Sequence, residues 1–142
     1  GVTTMADLVR ATLRLRPDRI PVGEVRGAEA LDLLKAWGTG HPGGIATVHA
    51  GSAAGALTRL EQLVQEVSLA VPRALIAEAV NVIVFIAGRG HARRVREIVR
   101  VIGHDRDGYQ LDGSLGPPFP PIQQVVASHS PSSTSSTKGE SS

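Results

Sequence analysis

A single glutamate closes the apolar run Ile20-Pro-Val-Gly-Glu24, the first place in the chain where residue type and position together suggest chemistry. A carboxylate at the carboxyl end of a strand sits at the rim of an α/β sheet, where it can hold Mg²⁺ or orient an attacking water. Taken alone, this Gly-Glu pair reads more readily as a solvated loop carboxylate. A second grouping follows, in which Gly38-Thr-Gly-His41-Pro-Gly-Gly44 leads into Ile45-Ala-Thr-Val-His-Ala50. Glycines let backbone amides approach an anion closely, and a histidine at a strand end can donate to phosphate oxygens. Strand alternation puts Thr47 and His49 on one side. The alternative for this stretch is a structural glycine loop with one exposed histidine and one bonded to backbone. Zinc held by His41 and His49 would lack a third ligand at suitable spacing, and the chain has no cysteine.

Basic residues are 13 arginines against two lysines, yet the net charge is only +2. Such a bias suits phosphate or carboxylate partners, or reflects a GC-rich genome. Arg89, Arg93, Arg94, Arg96 and Arg100 lie close together, but no aromatics are interleaved for base stacking and Glu97 offers a partial offset. The stretch therefore reads as a solvated strand face, and no direct nucleic-acid binding is expected. Arg10 and Arg14 are four apart and share a helix face, from which they could reach a nucleotide, a neighbouring subunit or nearby acids. A phosphate-binding loop requires Gly-x-x-x-x-Gly-Lys-Ser/Thr, and neither Lys35, after Leu34, nor Lys138, after Thr137, completes one.

Periodicity supplies the elements that position these groups. Residues 5–16 place Met5, Leu8, Val9, Thr12 and Leu13 on one helical face and end at Pro17. The run 19–24 predicts a short buried strand, although Pro21 cannot donate to a ladder. Residues 28–37 predict a helix stopped by Gly38. Strand, helix, glycine loop and strand 45–50 together make a βαβ unit. Helices are predicted over 54–67 and 72–80, the latter with Pro72 in its first turn. The run 81–87 is the clearest strand, 93–102 alternates imperfectly as its partner, and a last short strand surrounds 109–111.

The chain of 142 residues has room for one hydrophobic core. Aromatics are only 3%, so that core must be built from Val, Ile, Leu and Ala. No run approaches the roughly 20 apolar residues of a membrane-spanning helix, which points to a soluble, cytoplasmic protein. With no cysteines, disulfides and thiol catalysis drop out. Gly1 in place of an initiator Met suggests a fragment. Residues 1–112 read as the folded part and 113–142 as a Pro/Ser-rich disordered tail, since the end from Ser128 is almost wholly Ser, Thr, Pro and charge.

Taken in order, Leu13-Arg-Leu-Arg-Pro-Asp-Arg-Ile, Val22-Gly-Glu-Val-Arg-Gly, Glu29-Ala-Leu-Asp-Leu-Leu-Lys-Ala-Trp, Thr39-Gly-His-Pro-Gly-Gly and Ala46-Thr-Val-His-Ala resemble the secretion ATPases of type II and type IV secretion and conjugation, most closely the conjugal-transfer branch. The resemblance implies part of a RecA-like P-loop NTPase core, an α/β sheet flanked by helices. It implies that Gly23 and Glu24 form an atypical Walker B, with Glu24 near Mg²⁺ and the attacking water, and that His49 belongs to the histidine box facing the γ-phosphate. Gly40 and His41 match the glycine loop before that box, and Arg10, Arg14 and Arg26 occupy arginine positions of the pattern. ATP and Mg²⁺, a homo-hexameric ring with nucleotide between subunits, inner-membrane secretion or conjugation components as partners, and a cytoplasmic location against that membrane follow as expectations. Two departures stand out. Pro21 replaces an aliphatic residue, and the half bearing Walker A and the acidic box is missing, so the chain alone is expected to be inactive. The competing expectation is a non-catalytic oligomerisation or docking module of a secretion complex.

Overall fold

The computed structural model describes residues 2–113, so all but the first residue of the tail expected from the sequence lies outside the described part. Helix α1 (Met5–Arg14) begins at a reciprocal cap in which the Thr4 hydroxyl accepts the Asp7 amide while the Asp7 carboxylate accepts the Thr4 amide. Of its predicted apolar face only Val9 is buried, with Leu13 packed at the edge of the core, while Met5 and Leu8 are exposed. The reason is geometric: α1 meets the rest of the molecule chiefly through the second helix, α2 (Glu29–Gly38), and its outer turn reaches beyond that contact.

Strands β1 (Pro21–Val22) and β2 (Ile45–Ala46) pair in parallel, with Pro21 opposite Ile45 and Val22 opposite Ala46. Parallel pairing needs a crossover, and α2 is that crossover, which makes β1-α2-β2 the expected βαβ unit. Pro21 is accommodated because β1 has a neighbour on one side only among the described residues. Both strands are shorter than their apolar runs. Beyond Ala46 the ladder gives way to a looser pair of contacts, in which the Val25 amide donates to the Thr47 carbonyl at 2.9 Å and the Thr47 hydroxyl donates to the Gly23 carbonyl at 2.6 Å.

Helices α3 (Ala53–Gln65) and α4 (Arg73–Ala79) follow, then an antiparallel sheet of β3 (Val82–Ala87), β4 (Arg94–His104) and β5 (Tyr109–Asp112) in that order. The core is aliphatic, as the lack of aromatics requires. Leu33 and Leu34 from α2, Leu57, Leu63 and Val64 from α3, and Ile76 from α4 are fully buried, with Ile20, Val25 and Val101 against them. Removing these side chains from water is the main stabilising contribution. The opposite face of the sheet is apolar but uncovered among the described residues: Val82, Val84 and Ile86 are 50%, 48% and 45% exposed. No described helix is long and apolar enough to cross a membrane.

Glu97 stands opposite Phe85 on the inward side of the sheet, and its carboxylate accepts the Ala53 amide at the start of α3, at 3.3 Å. The register shift between Phe85 and Ile86 leaves Arg96 as an unmatched residue on β4, which explains the imperfect alternation of that stretch.

Candidate functional site

The crossover brings together residues that are far apart in the chain. Glu24 lies two residues past β1, and His49 three residues past β2. His49 Nε2 is 3.0 Å from Glu24 Oε1, and the Arg26 guanidinium bonds the other oxygen, Oε2. Gly23 is held by Thr47, whose hydroxyl bonds the Gly23 carbonyl, so the backbone just before Glu24 is fixed by the segment that leads from β2 to His49. Four sequence-predicted residues, Gly23, Glu24, Arg26 and His49, thus form one cluster. The His49 side chain is 91% exposed and that of Glu24 is 22% exposed, so the carboxylate is sheltered while the imidazole faces outward.

The bond from Arg26 is the main cause that holds the Glu24 carboxyl below its ordinary value of 4.5, with the charges of Arg26 and His49 acting in the same direction against the cost of burial. At neutral pH Glu24 is therefore an anion, suited to ligating a cation or orienting a water.

The other predicted residues lie apart from this pair. Gly40, at φ +118°, turns the chain after α2, a conformation that side-chain-bearing residues rarely adopt. The His41 amide donates to the Ala36 carbonyl at the helix end, while its buried Nδ1 has no hydrogen-bond partner among the described residues. Arg10 pairs with Asp32 on α2 at 2.8 Å and lies 3.9 Å from Asp7, so in this structure it joins two helices. Arg14 is exposed on the last turn of α1.

Glu29 was not singled out by its sequence, yet it is the one buried charged residue among those described, at 8% exposure. Its Oε1 accepts the Arg26 amide at 2.8 Å and the Gly27 amide at 3.1 Å. Burial by itself pushes this carboxyl up, but the backbone N–H groups of Arg26, Glu29 and Gly27 outweigh it and leave the net shift downward from 4.5. A folded-state value below the unfolded one adds stability that is present above about pH 4.5 and lost as pH falls through the folded value. Glu29→Gln is therefore less stable than the parent at pH 7, and the gap narrows as pH drops below about 4.5; thermal melts across that range check it. A gap that stays constant with pH would overturn this assignment.

ATP and Mg²⁺ fit only part of what is present. The Glu24 carboxylate suits Mg²⁺, which typically takes one or two protein carboxylates beside phosphate oxygens and water. No group of three or more His, Asp or Glu side chains among the described residues could hold a metal unaided. The phosphate side is unprovided: no Gly-x-x-x-x-Gly-Lys-Ser/Thr occurs, and Lys35 is exposed within α2.

Comparison with known proteins gives concordant matches. Residues 1–96 match the family described as Type II/IV secretion system protein. The conjugal transfer protein TrbB of Rhizobium radiobacter is 53% identical over 108 residues, covering 76% of this chain and 33% of that protein. The type IV secretion system protein PtlH of Bordetella pertussis is 42% identical over 107 residues, covering 69% and 32%. Among solved structures, the VirB11 ATPase of the Brucella suis type IV secretion system, in complex with sulphate, superposes with a TM-score of 0.63 at 32% identity, over 68% of this chain and 32% of that one. The chain thus spans about a third of the length of these relatives, and the α/β fold class expected from its sequence agrees with the superposition.

Proposed function

Because the chain belongs to the type II/IV secretion system protein family, we propose that it is the portion of a conjugal-transfer or type IV secretion ATPase that supplies the hydrolytic side of the nucleotide site. The observation that carries this reading is the contact of Glu24 with His49 at the mouth of the parallel β1-β2 pair.

Within that reading each residue has a physical task. Glu24, kept ionised, would ligate Mg²⁺ and orient the attacking water; Mg²⁺ would supply charge neutralisation for the phosphates. A carboxylate held below its ordinary value is a weak proton acceptor, so orientation suits it better than full proton abstraction. Arg26 bonds Glu24 Oε2 and would orient that carboxylate while leaving lone pairs on both oxygens for a cation. His49 meets Glu24 through Nε2, and its other ring nitrogen would be the one to donate towards a phosphate oxygen. Gly40 and His41 shape the loop that precedes β2, and Arg10 and Arg14 remain candidates for contact with nucleotide or a neighbouring subunit. The phosphate cradle comes from a part of the longer protein outside these residues, and the working form is a ring of like subunits beside inner-membrane secretion or conjugation components, on the cytoplasmic side. Residues 1–112 are the ATPase portion in this proposal. A second reading is a docking module that binds ring subunits without catalysis.

Titration calorimetry with Mg·ATP separates the two. The 142-residue chain gives no measurable binding, and a longer form that includes a phosphate-binding loop binds with micromolar affinity. Micromolar binding by the short chain would show that the cradle is not needed, and no binding by the longer form would leave only the docking module.

A further inference from the structure

Glu24 sits between two clamped points. On its amino side the Gly23 carbonyl accepts the Thr47 hydroxyl, and on its carboxyl side the backbone of Arg26 and Gly27 is gripped by Glu29 Oε1. Between them the buried Val25 is tied to β2 through the Thr47 carbonyl. Two features separate Glu29 from an ordinary helix cap. The capping position of α2 is the exposed Ala28, which makes no side-chain bond, so a short polar residue there could have capped the helix in water. The carboxylate instead belongs to the first helical residue, is buried, and reaches back across the turn, an arrangement that costs desolvation unless the N–H donors converge on it. Arg26 links the two groups: its backbone is held by Glu29 and its guanidinium holds Glu24.

We propose that Glu29 is a positioning residue for Glu24, fixing the Val25–Gly27 turn so that Arg26 and His49 meet the two oxygens of the Glu24 carboxylate. Its bearing on hydrolysis rests on the reading of Glu24 given above. The test compares Glu29→Asp, which keeps the charge but draws the carboxylate back by one methylene, with Glu29→Gln, which keeps an acceptor oxygen at the same reach. In the 142-residue chain, side-chain NMR follows the Arg26 guanidinium, whose resonances report its bond to Glu24, and hydrogen exchange follows the Arg26 and Gly27 amides. Glu29→Asp moves the Arg26 guanidinium resonances to those of a solvated arginine and speeds exchange at both amides by about tenfold or more. Glu29→Gln leaves the guanidinium resonances close to the parent. A purely structural role lowers the melting temperature of a variant without moving the Arg26 guanidinium resonances, and that result in Glu29→Asp overturns the proposal, as does a Glu29→Gln that moves them as far as Glu29→Asp does.

In the longer, loop-bearing protein Glu29→Asp lowers kcat for ATP hydrolysis by about tenfold, with KM within about twofold of the parent. An unchanged kcat overturns the link to hydrolysis while the NMR result stands. If Glu24→Gln itself hydrolyses ATP at the parent rate, the reading of the site has failed, independently of what Glu29 does to the turn.

Discussion

Glu24→Gln lowers kcat for ATP hydrolysis by about 100-fold or more in a longer protein that combines this segment with a phosphate-binding loop. The substitution keeps the shape of the side chain and removes only its charge and half its acceptor capacity. In the structure that charge is held by Arg26 and faces His49 at 3.0 Å. A neutral amide there cannot ligate Mg²⁺ comparably or hold a water for in-line attack, so the loss falls on the chemical step. Binding of Mg·ATP, governed by the phosphate-binding loop, changes far less. Steady-state kinetics with a phosphate-release assay gives both constants. A kcat within threefold of the parent would remove Glu24 from the hydrolytic machinery.

Gly44→Ala lowers the stability of the fold strongly. A Cβ built on Gly44 would lie 1.9 Å from Nε1, 2.2 Å from Cε2 and 2.7 Å from Cδ1 of Trp37. The indole cannot yield cheaply, because it packs against the core and its Nε1 donates to the Ile20 carbonyl at 3.3 Å, tying α2 to the approach of β1. Either the loop before β2 shifts or the indole swings out and leaves a void, at a cost of about 3 kcal/mol. For a unit of this size that corresponds to a fall in Tm on the order of 10 °C. Thermal denaturation measures it, and the single tryptophan of the chain gives an independent signal, since its emission shifts to the red if the ring enters water. An unchanged Tm and spectrum would contradict the packing described.

Much of this was legible in the sequence because periodicity and glycine placement carry direct geometric meaning. The four helices appear close to their predicted spans, and the run 81–87 becomes β3 because a continuous β-branched stretch fits a pleated surface. The βαβ pattern already puts the carboxyl ends of β1 and β2 on one edge, but that Glu24, Arg26 and His49 belong to one site was legible only through the resemblance. Glu29 was hidden for a different reason. An acidic residue in the first turn of a helix looks ordinary, and nothing in its type says that it bends back over the preceding turn. The contact of Glu97 with the start of α3 has no sequence signal, because the unmatched Arg96 beside it breaks the alternation of the strand. The extent of β2 was overestimated because an apolar, β-branched run does not reveal where side-chain bonding replaces the ladder, as it does at Thr47.

The contact between Thr47 and Gly23 spans 24 positions of sequence. The whole crossover lies between its two ends, so the grouping of Gly23, Glu24 and His49 belongs to the topology and to no single stretch of chain: the loop-closure entropy of joining its halves is offset by the docking of α2 on the core. A substitution that loosens α2 therefore disperses Glu24 and His49 together without touching either residue.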